Sequence, residues 1–317
     1  MIRYLTELSM EAFTEAARNV PYQQVESELF PGVDLWIRRD DLIDPIISGN
    51  KAYKLIFNLL EAREQGKDTI VTCGGAWSNH IHATAAAGQR FGFKTIGIIR
   101  GERPPVLSAM LQDTERFGME LRFVSRTIYR KRAEEGFWAQ LGLSGERYWY
   151  VPEGGANEQG ARGVEIWGQV IRETCPVTMD ECWLACGTGL TLGALSSSLE
   201  LSMPCVGVAV LRADKSISDA VHNWGSRNRR AVVPDPEIIT DAHHGGYGKT
   251  TESLRRNIHQ LEDSTGVRFD HVYTAKVIWA LKKRYLNDAP RRSYMRHRSV
   301  LLIHTGGLQG IRGMYKK

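Results

Sequence analysis

The run Thr69-Ile70-Val71-Thr72-Cys73-Gly74-Gly75-Ala76-Trp77-Ser78-Asn79-His80 passes from β-branched residues, through two glycines, into a polar triplet. Residues 69–72 read as a buried strand, since β-branched side chains suit a pleated, covered surface. From His80 to Phe91 the alanine-rich sequence reads as a tightly packed helix, so strand, turn and helix form one unit. The pattern then repeats. Lys94 to Ile99 is a strand, Ser108 to Phe117 a helix, Glu120 to Val124 a strand, Ile128 to Leu141 a helix, and Tyr148 to Val151 a short strand. Short apolar runs that alternate with helical segments predict parallel βαβ units.

A second series starts at Cys182-Trp183-Leu184-Ala185, a strand, followed by a helix from Thr191 to Leu201 and a strand from Val206 to Leu211. Several helical stretches lead from there to a late strand, Val300-Leu301-Leu302-Ile303. Between the two series lies Pro152-Glu153-Gly154-Gly155-Ala156-Asn157-Glu158-Gln159-Gly160, rich in turn formers and the natural crossing point. The expected architecture is α/β with two lobes, each a mostly parallel sheet flanked by helices, and a cleft between them. Open parallel sheets place ligands at the C-terminal ends of their strands.

Composition bounds the function classes. A chain of 317 residues, 42% hydrophobic and with mean hydropathy −0.31, has the make-up of an ordinary soluble protein. No apolar run reaches membrane-spanning length, and Met1-Ile2-Arg3-Tyr4 lacks a signal-peptide core, so the expectation is a cytoplasmic protein. The net charge of +5 is modest. Basic clusters at Arg126 to Arg132 and Lys282 to Arg298 lack interleaved stacking aromatics and read as solvated helix faces and a loop rather than a nucleic-acid footprint. Five cysteines, Cys73, Cys175, Cys182, Cys186 and Cys205, show neither a CxxC pair nor zinc-ligand spacing. Cys73 and Cys186, at strand ends, read as small core residues.

Four turns carry the chemistry. Ser48-Gly49-Asn50-Lys51 delivers a lysine into the start of a helical stretch. In an enclosed site a lysine becomes a nucleophilic amine; on a surface it is a solvated cation. Cys186-Gly187-Thr188-Gly189-Leu190-Thr191 leaves a strand and opens a helix, where free N–H groups, the helix dipole and two hydroxyls suit a phosphate. It matches neither the P-loop nor the dinucleotide spacing, and a plain strand-to-helix turn is the alternative. Ser78-Asn79-His80 stands at a similar junction, either as a helix cap or as groups that hold a carboxylate and a phenolate-type oxygen. His304-Thr305-Gly306-Gly307 closes the last strand, and Tyr247 and Tyr273 each lie near small or polar residues.

Taken in order, Leu35-Trp36-Ile37-Arg38-Arg39-Asp40-Asp41-Leu42, Gly49-Asn50-Lys51-Ala52-Tyr53-Lys54-Leu55, Cys73-Gly74-Gly75 with Ser78-Asn79-His80, Gly154-Gly155, the Gly187 loop, Tyr273-Thr274-Ala275-Lys276 and the His304 turn resemble a known family. It is that of the D-cysteine desulfhydrases and 1-aminocyclopropane-1-carboxylate (ACC) deaminases, pyridoxal-phosphate (PLP) enzymes of the tryptophan-synthase-β fold type. The resemblance spans roughly residues 30 to 310. It implies a small domain over 53–160, a large PLP-binding domain from 1–52 plus 161–317, and a homodimer. Lys51 then looks like the Schiff-base lysine and Asn79 the partner of the phenolic oxygen. Gly187, Thr188, Gly189, Leu190 and Thr191 look like the phosphate cup, and Ser78, Asn79 and His80 like substrate-side groups. Tyr247 and Tyr273 match the two active-site tyrosines, with Ser78 beside them among the catalytic groups.

Thr274 and Thr305, one of them expected at the pyridine nitrogen, match the desulfhydrase branch, since the deaminase branch typically carries Glu and Leu there. A neutral threonine leaves a weaker electron sink, sufficient to eliminate a good leaving group. Trp77, Leu190 and Ala156 depart from the family's usual Gln, Gly and Ser, and Trp77 is placed to reshape the substrate pocket. The implied activity is a PLP-dependent elimination and deamination of a small amino acid, with D-cysteine first, converted to pyruvate, sulfide and ammonia. ACC deamination, amino-acid racemisation and another β-elimination are the alternatives within the class. A nucleotide-dependent oxidoreductase and a non-catalytic binding protein are the alternatives outside it.

Overall fold

The computed structural model describes residues 4–199, 202–212, 215–227, 234–288 and 298–313. Helix α1 (Met10–Arg18) is capped by Ser9, whose Oγ accepts from Ala12 N, and buries Phe13 and Ala17. Strands β1 (Tyr22–Val25) and β2 (Val33–Arg38) pair antiparallel and lead through Asp40 and Asp41 to α2 (Asn50–Glu64). Next come β3 (Thr69–Gly74), α3 (Asn79–Phe91), β4 (Lys94–Arg100), α4 (Ala109–Arg116), β5 (Met119–Val124), α5 (Arg126–Arg130), α6 (Phe137–Gln140) and β6 (Tyr148–Val151). The remainder comprises α7 (Glu158–Thr174), β7 (Glu181–Cys186), α8 (Leu190–Leu199), β8 (Cys205–Ala209), α9 (Lys215–Ser226), β9 (Glu237–Ile239), α10 (Glu252–Thr265), α11 (Thr274–Asp288) and β10 (Arg298–Ile303).

These strands make two sheets, one per lobe. The smaller has the order β5-β4-β3-β6, with every pairing parallel. The larger has the order β1-β2-β10-β7-β8-β9 and is parallel apart from the β1–β2 edge. The alternation of strand and helix therefore delivers the expected two-lobed α/β fold. Its central strands are covered on both faces, which is why β3 and β8 are buried throughout and read as continuous apolar runs.

One helix differs from the expectation. Ile128 to Leu141 is not continuous: α5 ends at Arg130 and α6 starts at Phe137, with Gly136 at φ +80° between them. A left-handed glycine interrupts the helix, and the charged run Lys131-Arg132-Ala133-Glu134-Glu135 supplies no apolar face to carry it through. The cluster from Arg126 to Arg132 lies on and just after α5. Of the second basic cluster, residues 289–297 lie outside the described residues, and so does Leu201 of the expected helix from Thr191. In the described part, Lys283 pairs with Asp241 and Arg284 with Glu237. No helix among the described residues is long and apolar enough to cross a membrane.

The start of α2 is held by a buried polar knot. Arg38, wholly buried, pairs with Asp40 at 3.2 Å and donates to Ala17 O at 2.6 Å, while Tyr53 donates its hydroxyl to Asp40 at 2.6 Å. The Tyr53 ring stacks on Trp167 of α7 at 4.3 Å. Helices α2 and α7 approach so closely that a Cβ on Gly163 would overlap the carbonyl oxygen of Tyr53. Gly163→Ala gains up to about 1 kcal/mol of helix propensity but forces the two helices apart, an overpacking cost of roughly 1–3 kcal/mol. The expected result is a net loss of about 1–2 kcal/mol in urea denaturation, and an unchanged or raised midpoint would show that the helices have slack.

Candidate active site

Gly49 sits at φ +64°, a conformation that only glycine adopts freely, and a Cβ there would overlap Thr305 O at the end of β10. Thr305 O also accepts from Asn50 N at 3.2 Å, and Gly49 N donates to Asp40 O at 3.0 Å. This crossing sets Lys51, the second residue of α2, beside the C-terminal edge of the large sheet. Lys51 is half-buried, and desolvation lowers its pKa to about 8. A larger share of it is therefore neutral near physiological pH than of a surface lysine.

Residues 187–191 link β7 to α8, as expected. Gly189 lies at φ +86° against Ala220 and Val221 of α9, and a Cβ on Gly187 would stand 3.7 Å from the Tyr273 ring. Asn50 donates its side-chain amide to Thr191 Oγ1 at 3.3 Å, which ties the Lys51 turn to this loop. A Cβ on Gly154, from the crossing segment, would meet Thr188 at 3.7 Å. The first-turn N–H groups of α8 have no intrahelical acceptor and so favour an anion.

Lys54 belongs to the same constellation, though sequence reading treated it only as part of a motif. It lies one turn from Lys51 on α2, is buried, and donates from Nζ to Gly154 O at 3.2 Å. Burial, and then the charge of Lys51, hold its pKa well below the ordinary lysine range. No carboxylate among the described residues pairs with it. The signal was a Lys-x-x-Lys spacing that puts both side chains on one face of a largely buried helix.

The Ser78-Asn79-His80 triplet divides. Ser78 is the N-cap of α3, its Oγ accepting from Ile81 N at 3.3 Å. The Asn79 side chain lies against the last turn, 3.1 Å from where a Cβ on Gly307 would stand, and its Oδ1 is buried without a partner. His80 turns into the small sheet. Thr72 donates its hydroxyl to Val151 O at 2.7 Å, so the 2.9 Å contact between Thr72 Oγ1 and His80 Nε2 requires the imidazole to donate from Nε2. Its Nδ1 is left as a buried, unpartnered acceptor. Desolvation, then Lys51 and Lys54, hold the His80 pKa well below the usual histidine value.

On the other wall, Tyr247 and Tyr273 meet edge to face with centroids 6.2 Å apart. Tyr247 is 43% exposed, while burial lifts the Tyr273 hydroxyl well above its ordinary pKa, so it stays protonated. Lys276, buried in α11, donates to Gly246 O at 2.9 Å and to Val210 O at 3.2 Å, fixing the Tyr247 loop. The two threonines have different surroundings. Thr274 donates its hydroxyl to Asp270 Oδ1 at 2.8 Å and accepts from Asp270 N at 2.9 Å, so it is engaged at the start of α11. Thr305 is buried and its hydroxyl has no hydrogen bond among the described residues. Trp77 packs its ring on Gly313 of the C-terminal turn, where a Cβ would lie 3.0 Å away. Burial pushes the Cys73 thiol up to about 12 and Cys186 to about 11, so neither is a ready nucleophile.

A sequence-family model described as pyridoxal-phosphate dependent enzyme matches residues 14–306. The chain is 32% identical over 300 residues to a putative 1-aminocyclopropane-1-carboxylate deaminase of Thermotoga maritima, covering 88% of this chain and 90% of that protein. It is 29% identical to the mitochondrial bifunctional D-cysteine desulfhydrase/1-aminocyclopropane-1-carboxylate deaminase of Arabidopsis thaliana, covering 88% and 74% respectively. A crystal structure of an ACC deaminase homologue superposes with a TM-score of 0.79 at 28% identity, covering 92% of this chain and 90% of that one.

The electrostatics of His80 are open to direct measurement. Long-range ¹H–¹⁵N correlation should show His80 neutral, with its proton on Nε2, across about pH 5 to 8. A midpoint near the usual histidine value would contradict the buried placement beside two lysines.

Proposed function

Because the chain belongs to the pyridoxal-phosphate-dependent enzyme family, and within it to the group of ACC deaminases and D-cysteine desulfhydrases, we propose that it is a lyase. It would catalyse α,β-elimination and deamination of a small amino acid, with D-cysteine the first substrate. The observation that carries this reading is the half-buried Lys51, with its lowered pKa, set beside a phosphate-suited loop and a second, uncompensated lysine. The cofactor's own chemistry suits that site. Lys54, buried without a carboxylate, together with the opening N–H groups of α8, fits a phosphate dianion. The unpartnered Asn79 Oδ1 marks a buried polar side chain whose hydrogen bonding the protein alone does not complete.

In this reading Lys51 holds the cofactor's aldehyde carbon, Gly187 to Thr191 and Lys54 hold its phosphate, and Asn79 meets its phenolic oxygen. Thr305 rather than Thr274 faces the ring nitrogen, because its hydroxyl is uncommitted while Thr274 is engaged by Asp270. When bound, the cofactor supplies an electron sink for the electrons of the substrate's Cα–H bond.

The chain's residues do the rest. The substrate carboxylate lies at the Ser78-Asn79 turn, where N–H groups at the start of α3 favour an anion. The Lys51 amine takes the Cα proton. Tyr273, kept protonated by burial, would donate a hydrogen bond to the departing hydrosulfide, with Tyr247 as its edge-on neighbour. His80 acts behind the site: as a neutral ring it adds no third positive charge beside Lys51 and Lys54. Released aminoacrylate then hydrolyses to pyruvate and ammonia. ACC deamination is the second reading, favoured by the names of the relative from Thermotoga maritima and of the superposed homologue.

The purified protein should be yellow, and borohydride should fix the cofactor on Lys51; a colourless protein that takes up no added PLP would overturn the reading. Pyruvate should form from D-cysteine in a panel with L-cysteine and D-serine, with α-ketobutyrate measured from ACC. Turnover of ACC without D-cysteine would move the protein to the other branch. Uptake of PLP by the apoprotein should also depend on pH. Only the neutral amine of Lys51 attacks, so the rate should rise about tenfold per pH unit below pH ~8 and level off above it.

A further inference from the structure

Arg100 is the last residue of β4, at the same sheet edge from which β3 runs into the Gly74-Gly75 turn and then Ser78. Its guanidinium lies over that turn: Nη2 is 3.5 Å from where a Cβ on Gly75 would stand. Behind it, Arg100 lies 5.8 Å from the centre of the Tyr129 ring, whose other neighbour is Arg132 at 4.9 Å. The local carboxylate is Glu153, and both of its oxygens are engaged. Oε2 accepts from Arg132 at 2.7 Å, and Oε1 accepts from the Tyr129 hydroxyl at 2.9 Å. Among the described residues no carboxylate pairs with Arg100. Two guanidinium groups and one carboxylate leave this wall of the cleft with one uncompensated, exposed cation. Across the cleft, the Tyr247 hydroxyl is within electrostatic reach of both Arg100 and Glu153.

Building on the elimination reading above, we propose that Arg100 is a specificity-determining residue that binds an oxyanion on the substrate's β-carbon. Amino acids with an anionic β-substituent, a phosphate ester or a sulfonate, would then be substrates of the same elimination alongside D-cysteine. The α-carboxylate already has the N–H groups at the start of α3. Arg100 stands over the turn leading to them, so it meets a second anionic group of the same small molecule. A planar guanidinium matches an oxyanion through paired N–H donors, which a thiol or a chloride cannot accept in the same way. The reaction balances without an oxidant or reductant. The base takes the Cα proton, and the C–H electrons form the Cα–Cβ double bond. The Cβ–O or Cβ–S bond breaks with its pair leaving on phosphate or sulfite, and water hydrolyses the aminoacrylate to pyruvate and ammonia.

The test uses the cofactor-loaded enzyme, wild type and Arg100→Gln. Pyruvate is measured from both enantiomers of O-phosphoserine and cysteate, and from D-cysteine and β-chloroalanine. Wild type should use at least one anionic substrate, and Arg100→Gln should lower the ratio of kcat/KM for anionic over neutral substrates about fivefold, the loss of one exposed charge-assisted fork. Arg100→Lys, which keeps the charge but not the fork, should fall between them. Titration calorimetry with 2-amino-3-phosphonopropionate, which cannot eliminate, gives a readout independent of turnover: binding should weaken similarly in Arg100→Gln, whereas alanine binding should change far less. A parallel loss for both substrate classes would make Arg100 a holder of the α-carboxylate and overturn the proposal. So would a wild type that turns over D-cysteine or β-chloroalanine but neither uses the anionic substrates nor binds the phosphonate, and that result would leave the elimination reading intact. A protein that takes up no cofactor would instead remove the elimination reading, and this proposal with it.

Discussion

The site depends on one backbone-to-backbone crossing. Where α2 begins, Gly49 presses against the carbonyl of Thr305, and a Cβ on Gly306, at φ +81°, would stand 3.1 Å from the Gly49 Cα. The atoms nearest a Cβ on Gly49 are all backbone, so the separation there is set by atomic radii rather than by rotamers. That contact fixes the first turn of α2 relative to the end of β10, and with it Lys51 relative to Thr305. The buried Arg38–Asp40–Tyr53 knot anchors the same turn from behind, through Gly49 N to Asp40 O. A buried ion pair of this kind is weak evidence for net stability. Its hydrogen bonds to Ala17 O and Tyr22 fix the orientation of the chain entering the site.

Around that fixed point the protein concentrates positive charge that it does not neutralise. Lys51 and Lys54 share a helix face, and desolvation depresses both. His80 is kept neutral by the same burial and by the two lysines. Leaving cations buried and unpaired is costly, and natural cores rarely do so without a ligand in view. The expense is tolerable because the depressed pKa values let the lysines shed their protons when the site is bare. In the proposed reading a dianion at the α8 terminus would reverse this for Lys54 by supplying the counter-charge.

Much of this was legible in the sequence, and the parts that were not have specific causes. The βαβ rhythm gave β3 to β8 and β10, because parallel strands covered on both faces read as short apolar runs, but it did not give β2 (Val33–Arg38), which entered only as part of a motif. Edge strands β1 and β9 lack that signature: β1 is Tyr-Gln-Gln-Val and β9 is three residues with no buried position. The joined reading of α5 and α6 failed at Gly136, whose left-handed backbone cannot be seen in composition. Lys54 went unweighed because its significance comes from burial under Gly154 and from the absence of any carboxylate, both tertiary facts. Trp77 shows the converse. Read as a bulky neighbour of Ser78 it suggests a reshaped pocket, yet its ring packs on the backbone of Gly313, brought there by the C-terminal turn.

That C-terminal turn also bears on how the two lobes meet. Arg312, beyond the end of the large sheet, donates to Asp113 of α4 at 2.6 Å, and Trp77 on the small-lobe side covers Gly313. The groups assigned to the cofactor come mostly from α2, the β7–α8 loop and the end of β10. Those proposed to face the substrate's outer end are Arg100, the last residue of β4, and Glu153, in the short turn that follows β6. In the proposed reading the lobes divide the anions between them: Lys54 and the α8 terminus would take a phosphate at the inner end, and Arg100 would face the outer one. Glu153, bonded to Tyr129 and Arg132, keeps the wall from becoming a general anion trap, since it leaves a single guanidinium free to act. One uncompensated cation at the rim, rather than two, lets an anionic side group be selected by position as well as by charge.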